Sequence, residues 1–428
     1  MQTRIARRAL LAFSVAAATA GVAVATALPA SGHESDDQTL YVGSEHTSSV
    51  RANDDEHHAS CEKPDFSTIG AAVAAASRGS TIIVCRGTYK EDVLVKKSLH
   101  LIGRHATIDA TGLENAMQIV RSWTTVRGFR FVNANGEGLL VGVDDPIGDA
   151  GLLPPGRVVS HVQIDHVAAV NDNKGFNGTE MGNCKYPGDC GGGIHFNVTK
   201  WSSVRDSVAT HNADGILLTD DYGPSSHNLF EGNFVSFNKT ECGIVLPSHS
   251  STAVTFDKTT FEVTGRTPSK GGIFDNVVRD NVTIRNGTAK APAQFGGVGG
   301  SGSGIGIFAS GPGSAAYDNI VEHNFTWGNG LAGILIHAHH PGGEDINGNR
   351  FVHNLVGRNN LLGDPFDGNP TDFKTTGIAV FSVPPAHMTI RDNTIFDNKI
   401  GIWLSKSVKA HGLDDNTFIN VTTHVVFG

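Results

Sequence analysis

Methionine, tyrosine and tryptophan are scarce in this 428-residue chain, at four, five and four residues, and cysteine occurs five times. Four methionines are too few for the thioether clusters that select copper, so a periplasmic copper-handling role is disfavoured. Positive charge is also short: 33 Lys and Arg stand against 42 Asp and Glu, a formal net charge of −9. Nucleic-acid binding needs a basic footprint, so that class is set aside. The same balance weighs mildly against gripping an anionic polymer without a bridging cation. After residue 80 no stretch repeats apolar residues at helical spacing, which excludes an α-rich body. Gly, by contrast, is abundant at 52 residues.

The only long apolar run lies at residues 9–27, behind Arg4, Arg7 and Arg8 and ahead of small residues at Ala25, Ala27 and Ala30. We expect residues 1–30 to be a signal peptide, which makes the protein secreted, extracellular and free of the membrane after cleavage. A membrane anchor is the alternative, but the run is alanine-rich and barely long enough to span. Arg7-Arg8 leaves twin-arginine and general export both open. Without those residues 30 basic and 42 acidic side chains remain, a charge of −12. In an oxidising compartment the cysteines can pair. Nearness suggests Cys61 with Cys85 and Cys184 with Cys190, although connectivity is not readable from sequence. Cys242 is left over, expected as a buried free thiol.

Residues 31–60 are rich in His, Asp, Glu and Ser and are expected to be flexible, lending one strand at most around Leu40-Tyr41-Val42. A helix is expected over residues 69–76, where Ile69, Ala72, Val73 and Ala76 make one apolar face before Arg78-Gly79 ends it. Short β-branched runs follow at residues 81–84, 92–95, 99–102 and 107–108.

From there one unit repeats. Gly-Ile, or a close variant, with an apolar residue two further on, occurs at Gly138, Gly193, Gly215, Gly243, Gly304, Gly333, Gly377 and Gly401. The cleanest separations are 22, 28, 29 and 24 residues; the longer gaps, 243–304 and 333–377, fit two coils or one coil with an insertion. A second signature is a pair of Asn five apart: Asn233/Asn238, Asn281/Asn286, Asn324/Asn329, Asn349/Asn354 and Asn393/Asn398. A unit of this length holds three short strands and three turns, and stacked units form parallel sheets about 4.8 Å apart without long crossovers. Asn suits turns because it tolerates left-handed backbone and can ladder its amide from coil to coil. A solenoid needs its ends covered, and the 69–76 helix is the expected N-terminal cap.

The stretch TIGAAVAAASRGSTIIVCRGTYKEDVLVKKSLHLIG resembles the opening of secreted right-handed parallel β-helix proteins, and both repeats resemble their coil repeats. The resemblance spans roughly residues 65–428. It implies an all-β fold, a single-stranded right-handed parallel β-helix over residues 61–428 with an N-terminal capping helix. The group includes pectate lyases, polygalacturonases and polyuronate epimerases, so the implied partner is a polysaccharide and the implied state a monomer. Fold alone does not choose among their activities.

Chemistry concentrates in residues 191–249, which contain GGGIHFN, NADGILLTDD and ECGIVLPSH. With each repeat Gly as position zero, offsets +1 and +3 are apolar throughout and must face the core, so +2 and +4 are expected to face solvent. His195 and Asn197 fall at +2 and +4, and Phe308, His337 and Phe381 at +4. Asp221, His249 and His339 fall at +6, in the following turn. Asp221 and His249 lie on successive coils, about 4.8 Å apart, where the carboxylate would orient the imidazole for acid–base work. The candidate catalytic residues are therefore Asp220, Asp221 and His249. The candidate substrate-binding residues are His195, Asn197, Asp214, Glu241, His337 and His339. Plain alternatives stand beside them: Asp214 as a turn residue, Asp220-Asp221 as a solvated turn, His249 as a structural histidine.

Asn212-Ala213-Asp214 and Asp220-Asp221 are similar to the N-T-D and D-D motifs of polygalacturonases, but G-H-G and R-x-K are absent, as is the D-P-H-D of the epimerases. Likeness to pectate lyases would make the Asp residues calcium ligands; no other cofactor is implied and no dedicated metal site is expected. The function read from the sequence is polysaccharide cleavage by hydrolysis or β-elimination. The alternative is a non-catalytic glycan-binding or cell-surface β-helix.

Overall fold

A computed structural model describes residues 38–43, 59–143, 152–154, 157–174, 191–289, 300–338, 340, 342–360 and 375–428. His339 and the Cys184/Cys190 pair lie outside the described residues.

The chain coils as a right-handed parallel β-helix. One face is an 11-stranded parallel sheet running coil by coil from Val93–Val95 to Thr423–Phe427. The other faces are ladders of mostly three-residue strands, joined at the N-terminal end by the long strands His100–Asp109 and Thr125–Val132. A five-stranded sheet, from Val159–Ser160 to Ala316–Tyr317, flanks the middle coils. Thr39–Val42, the one strand expected from the segment ahead of the helix, pairs in parallel with Thr81–Val84. The helix forms at Ile69–Ala75 and buries Ile69, Ala72 and Val73 in the same apolar cluster as the first coils. Thr68 begins it by accepting the Ala71 N–H. Cys61 and Cys85 are disulfide-bonded, and Cys242 is a buried free thiol. Among the described residues no helix is long and apolar enough to cross a membrane.

Both long gaps in the repeat are single coils with insertions. Ile244 pairs directly with Ile305, and Ile334 with Ile378. The first insertion starts right after His249 and carries an antiparallel hairpin, Val254–Phe256 with Val263–Arg266. Arg266 ties it to the helix flank, 3.7 Å from the Tyr317 ring centre and 2.7 and 2.6 Å from Asp345 and Asp318.

The two repeat signatures are in phase because they touch. A Cβ on Gly304 would lie 2.7 Å from Asn329 Nδ2, and one on Gly333 2.6 Å from Asn359 Nδ2. Only glycine leaves room there for the amide column. The Asn pairs are parts of triplets such as Asn228/Asn233/Asn238 and Asn319/Asn324/Asn329. Asn349/Asn354 thus belongs one column earlier than the other pairs. Through the middle of a column an Oδ1 accepts both the backbone N–H and the amide N–H of the Asn one coil back, as Asn281 does for Asn233. The left-handed residue is not the Asn. It is the residue before it, as at Phe237, Asp280, Arg285, His323, Asp392 and Asp397. One αL residue bends the strand, and the Asn then turns inward to ladder.

Offsets +1 and +3 are buried as the pattern requires, from Ile194 and Phe196 to Ile402 and Leu404. The expectation that +2 and +4 face solvent does not hold in the central coils. His195, Asn197, Leu217, Thr219, Val245 and Leu335 are all buried. Alternation within a strand sets which side of the sheet a residue lies on, not whether that side is wet.

Candidate functional site

Three neighbouring strands, Gly192–Asn197, Asp214–Thr219 and Ile244–Ser248, build the site, with His195 in register with Leu217 and Asn197 with Thr219. Each strand ends at the same edge of the sheet, so the residues that follow gather there. His249 Nδ1 lies 3.0 Å from Asp221 Oδ1. The Asp221 side chain is 8 % exposed and that of His249 21 %, so the imidazole is the member of the pair that solvent reaches. The other Asp221 oxygen, Oδ2, accepts from the Thr219 hydroxyl at 2.9 Å and the Asn197 amide at 2.8 Å. Burial opposes ionisation of Asp221. The hydrogen bond and charge of His249, helped by His195 and Thr219, outweigh it and hold the carboxyl below its ordinary value. An ionised Asp221 requires a proton on His249 Nδ1, which leaves Nε2 as the ring atom for proton exchange.

Behind Asp221 the network continues inward. His195 Nε2 is 2.9 Å from the Thr219 hydroxyl, and its Nδ1 is 3.2 Å from Glu137 Oε1. Both side chains are nearly inaccessible, at 3 % and 4 %. His195 and Asn197, expected to touch substrate, are instead buried partners of Thr219 and Asp221. Glu137 was not anticipated. Its only signal in the sequence is its place immediately before a repeat Gly, the place Asp214 also holds.

Asp220 is fully buried and accepts four hydrogen bonds, from Ser248 Oγ and from the backbone N–H groups of His249, Ser250 and Gly272. Burial pushes its carboxyl up to about 6, against the lowering effects of His249 and Ser248. It anchors the turn that carries His249 and offers no oxygen to a ligand. Asp214 opens the strand that Asp220 follows, so roughly 20 Å of extended chain separates them. Its Oδ1 accepts the Cys242 N–H at 2.6 Å, and it is buried. Glu241, half-buried, sits beside it, bonded through its backbone to Ala213. The expected single cluster is thus split between the two edges of the sheet. His337 is half-buried, its ring tilted against Phe308 at 3.9 Å. Pro247, Phe308, His337 and Phe381 occupy the same position on four successive strands, leading away from His249.

Calcium does not fit the Asp220–Asp221 turn, because hydrogen-bond donors fill all four carboxylate oxygens. Among the described residues Asp165, His166 and Asp206 lie together, but Asp165 already binds His166 Nδ1 at 2.6 Å and Arg127 Nε at 3.3 Å. In the thiol of Cys242, burial, with Asp214 nearby, disfavours the thiolate, which makes it a packing residue.

No protein-family model and no curated protein matches this chain. Among solved structures it is similar to pectate lyase Pel9A, at 15 % identity over 88 % of this chain and 78 % of that one, with a TM-score of 0.50. It is also similar to the A-module of the mannuronan C-5 epimerase AlgE4 of Azotobacter vinelandii, at 16 % identity over 83 % and 91 % and a TM-score of 0.43. A third is the GH136 lacto-N-biosidase of Eubacterium ramulus, at 11 % identity over 89 % and 68 % and a TM-score of 0.44. At these identities the likeness is one of fold.

Proposed function

We propose that this is an exported polysaccharide-cleaving protein that works by β-elimination, with His249 as the proton-transfer residue and Asp221 as the group that orients it. The observation carrying this reading is the 3.0 Å contact of a partly exposed imidazole with a buried carboxylate. Two-carboxylate hydrolysis is supported less well. It needs two carboxyl groups flanking the glycosidic bond, whereas Asp220 is fully buried and Asp220 and Asp221 both have their oxygens filled. Elimination from a uronate needs one proton-transfer group: Nε2 takes the C5 proton, the electron pair becomes the C4–C5 double bond, the C4–O bond breaks, and the imidazolium so formed returns the proton to the leaving C4 oxygen. The pectate lyase fold agrees with this substrate class. The half-buried rings of Phe308 and Phe381 suit stacking of sugar rings along the sheet. Export accords with the expected leader and with the Cys61–Cys85 disulfide.

The test is a panel of uronate and neutral polysaccharides offered to the wild type, His249→Ala and Asp221→Asn. We expect unsaturated oligosaccharides, detected by ultraviolet absorbance, from the wild type on a uronate polymer. His249→Ala should lose the activity by about 10²–10⁴-fold. Saturated products would refute elimination. Binding by all three proteins with no product on any polymer would make the protein a glycan-binding module.

A further inference from the structure

Directionality fixes the proton positions of the buried chain Glu137–His195–Thr219–Asp221–His249. An ionised carboxylate only accepts, so the Thr219 hydroxyl spends its one hydrogen on Asp221 Oδ2, 2.9 Å away. Thr219 Oγ1 must then accept from His195, so His195 Nε2, at 2.9 Å, carries a hydrogen. With Nε2 protonated, the His195 Nδ1–Glu137 Oε1 contact at 3.2 Å holds one further proton, since neither a bare imidazole nitrogen nor a bare carboxylate oxygen can donate to the other. Asn197 closes the arrangement, giving its amide hydrogens to Asp221 Oδ2 and to the Val143 carbonyl while its Oδ1 accepts the Asp221 N–H.

We propose that Glu137 and His195 are positioning residues that act through Thr219, holding Asp221 in one orientation and moderating the negative charge it presents to His249. This rests on the reading of His249 as the proton-transfer group. The pair contributes a locked hydrogen-bond donor to the far side of Asp221, in a setting too dry for water to substitute. Without it, the Asn197 amide alone would remain on Oδ2, and Asp221 would direct more of its charge at His249 and raise the affinity of the ring for a proton. Among the described residues, the titratable groups that also face this chain include Asp220, which takes the His249 backbone N–H, and Asp172, which lies close enough to Glu137 to feel its charge.

The experiment is histidine-ring ¹⁵N NMR on the whole protein, with His195 and His249 assigned by His195→Gln and His249→Gln. From about pH 5 to about pH 8 we expect His195 Nε2 to remain protonated while His249 titrates. Thr219→Val, which keeps the shape and removes the hydroxyl, should raise the midpoint of His249 by about 0.5–1 pH unit, and Thr219→Ser should restore it. A purely structural role would leave that midpoint unmoved in Thr219→Val. Either that result or an unprotonated His195 Nε2 overturns the proposal. A wild type that titrates as expected yet cleaves no polysaccharide would count against the catalytic reading alone, because the titration does not depend on turnover.

Discussion

Asp172 stands where the Asn column through Asn212, Asn238 and Asn286 would continue: its backbone N–H donates to Asn212 Oδ1 at 2.9 Å, and its Oδ1 accepts the Ala134 N–H at 3.0 Å. An Asn in this column gives one amide hydrogen to a carbonyl one coil back, as Asn212 does to the Ala169 carbonyl at 3.2 Å, and can give the other to the Asn one coil on, as Asn238 does to Asn286. Asp172 has no such hydrogen, and its Oδ2 is buried without a hydrogen-bond partner among the described residues. Burial, with the charge of Glu137 adding to it, pushes this carboxyl from 3.8 to about 7. The folded protein therefore binds a proton at Asp172 that the unfolded chain has released, and stability contributed below about pH 4 is lost as the pH rises through about 7. At roughly 1.4 kcal/mol per unit the loss amounts to about 4 kcal/mol at most. Asp172→Asn removes the titration and restores the missing donor. Paired melting curves should show the variant more stable than wild type by several degrees at about pH 8, with the gap closing toward about pH 4. A wild-type slope reproduced unchanged in the variant, or a variant less stable at the alkaline end, would refute the reasoning. Asp220, pushed up to about 6, adds a smaller slope of the same sign that should persist in both proteins.

Gly304→Ala forces a Cβ within 2.7 Å of Asn329 Nδ2, the Gly333 carbonyl and Thr283 Oγ1, and should cost about 1–3 kcal/mol by chemical denaturation. An unchanged midpoint would mean that the glycine is not there to clear the Asn column. Cys242, buried and with its thiol pushed up, should resist a thiol reagent in the native protein and react once denatured, and labelling followed by mass spectrometry reads this directly. Reducing the Cys61–Cys85 bridge, which joins residues 24 apart, should lower stability by about 3 kcal/mol. A melting temperature unmoved by reductant would show that the first coils do not rely on it.

The coil repeat was legible because its causes are local. A Gly beside an Ile, and an Asn every five residues, record steric and hydrogen-bond demands that recur on each coil. Pairing Asp221 with His249 followed from the same arithmetic, since a shared offset on successive coils means adjacency. Glu137 was not legible. It reaches His195 at 58 residues' separation, across an intervening stretch whose length no repeat specifies. The burial of Asp220 was not legible for a related reason: its four donors come from residues 248–250 and 272, and only the folded insertion brings Gly272 to it.

By itself the sequence determined a stacked parallel β-fold, the inward columns of Ile, Leu, Val and Phe, and the edge of the sheet where polar groups collect. These depend on short-range periodicity, and each coil restates them. Only the tertiary structure decided which polar residues are buried, which carboxylate is spent on a turn and which is held against a histidine, and that Glu137 and His195 stand behind it. Burial and hydrogen-bond partnership belong to three dimensions: they turn on what lies across the sheet and on insertions of unequal length. The Asp221–His249 pair was readable as a contact, but its protonation is set by residues the repeat does not index.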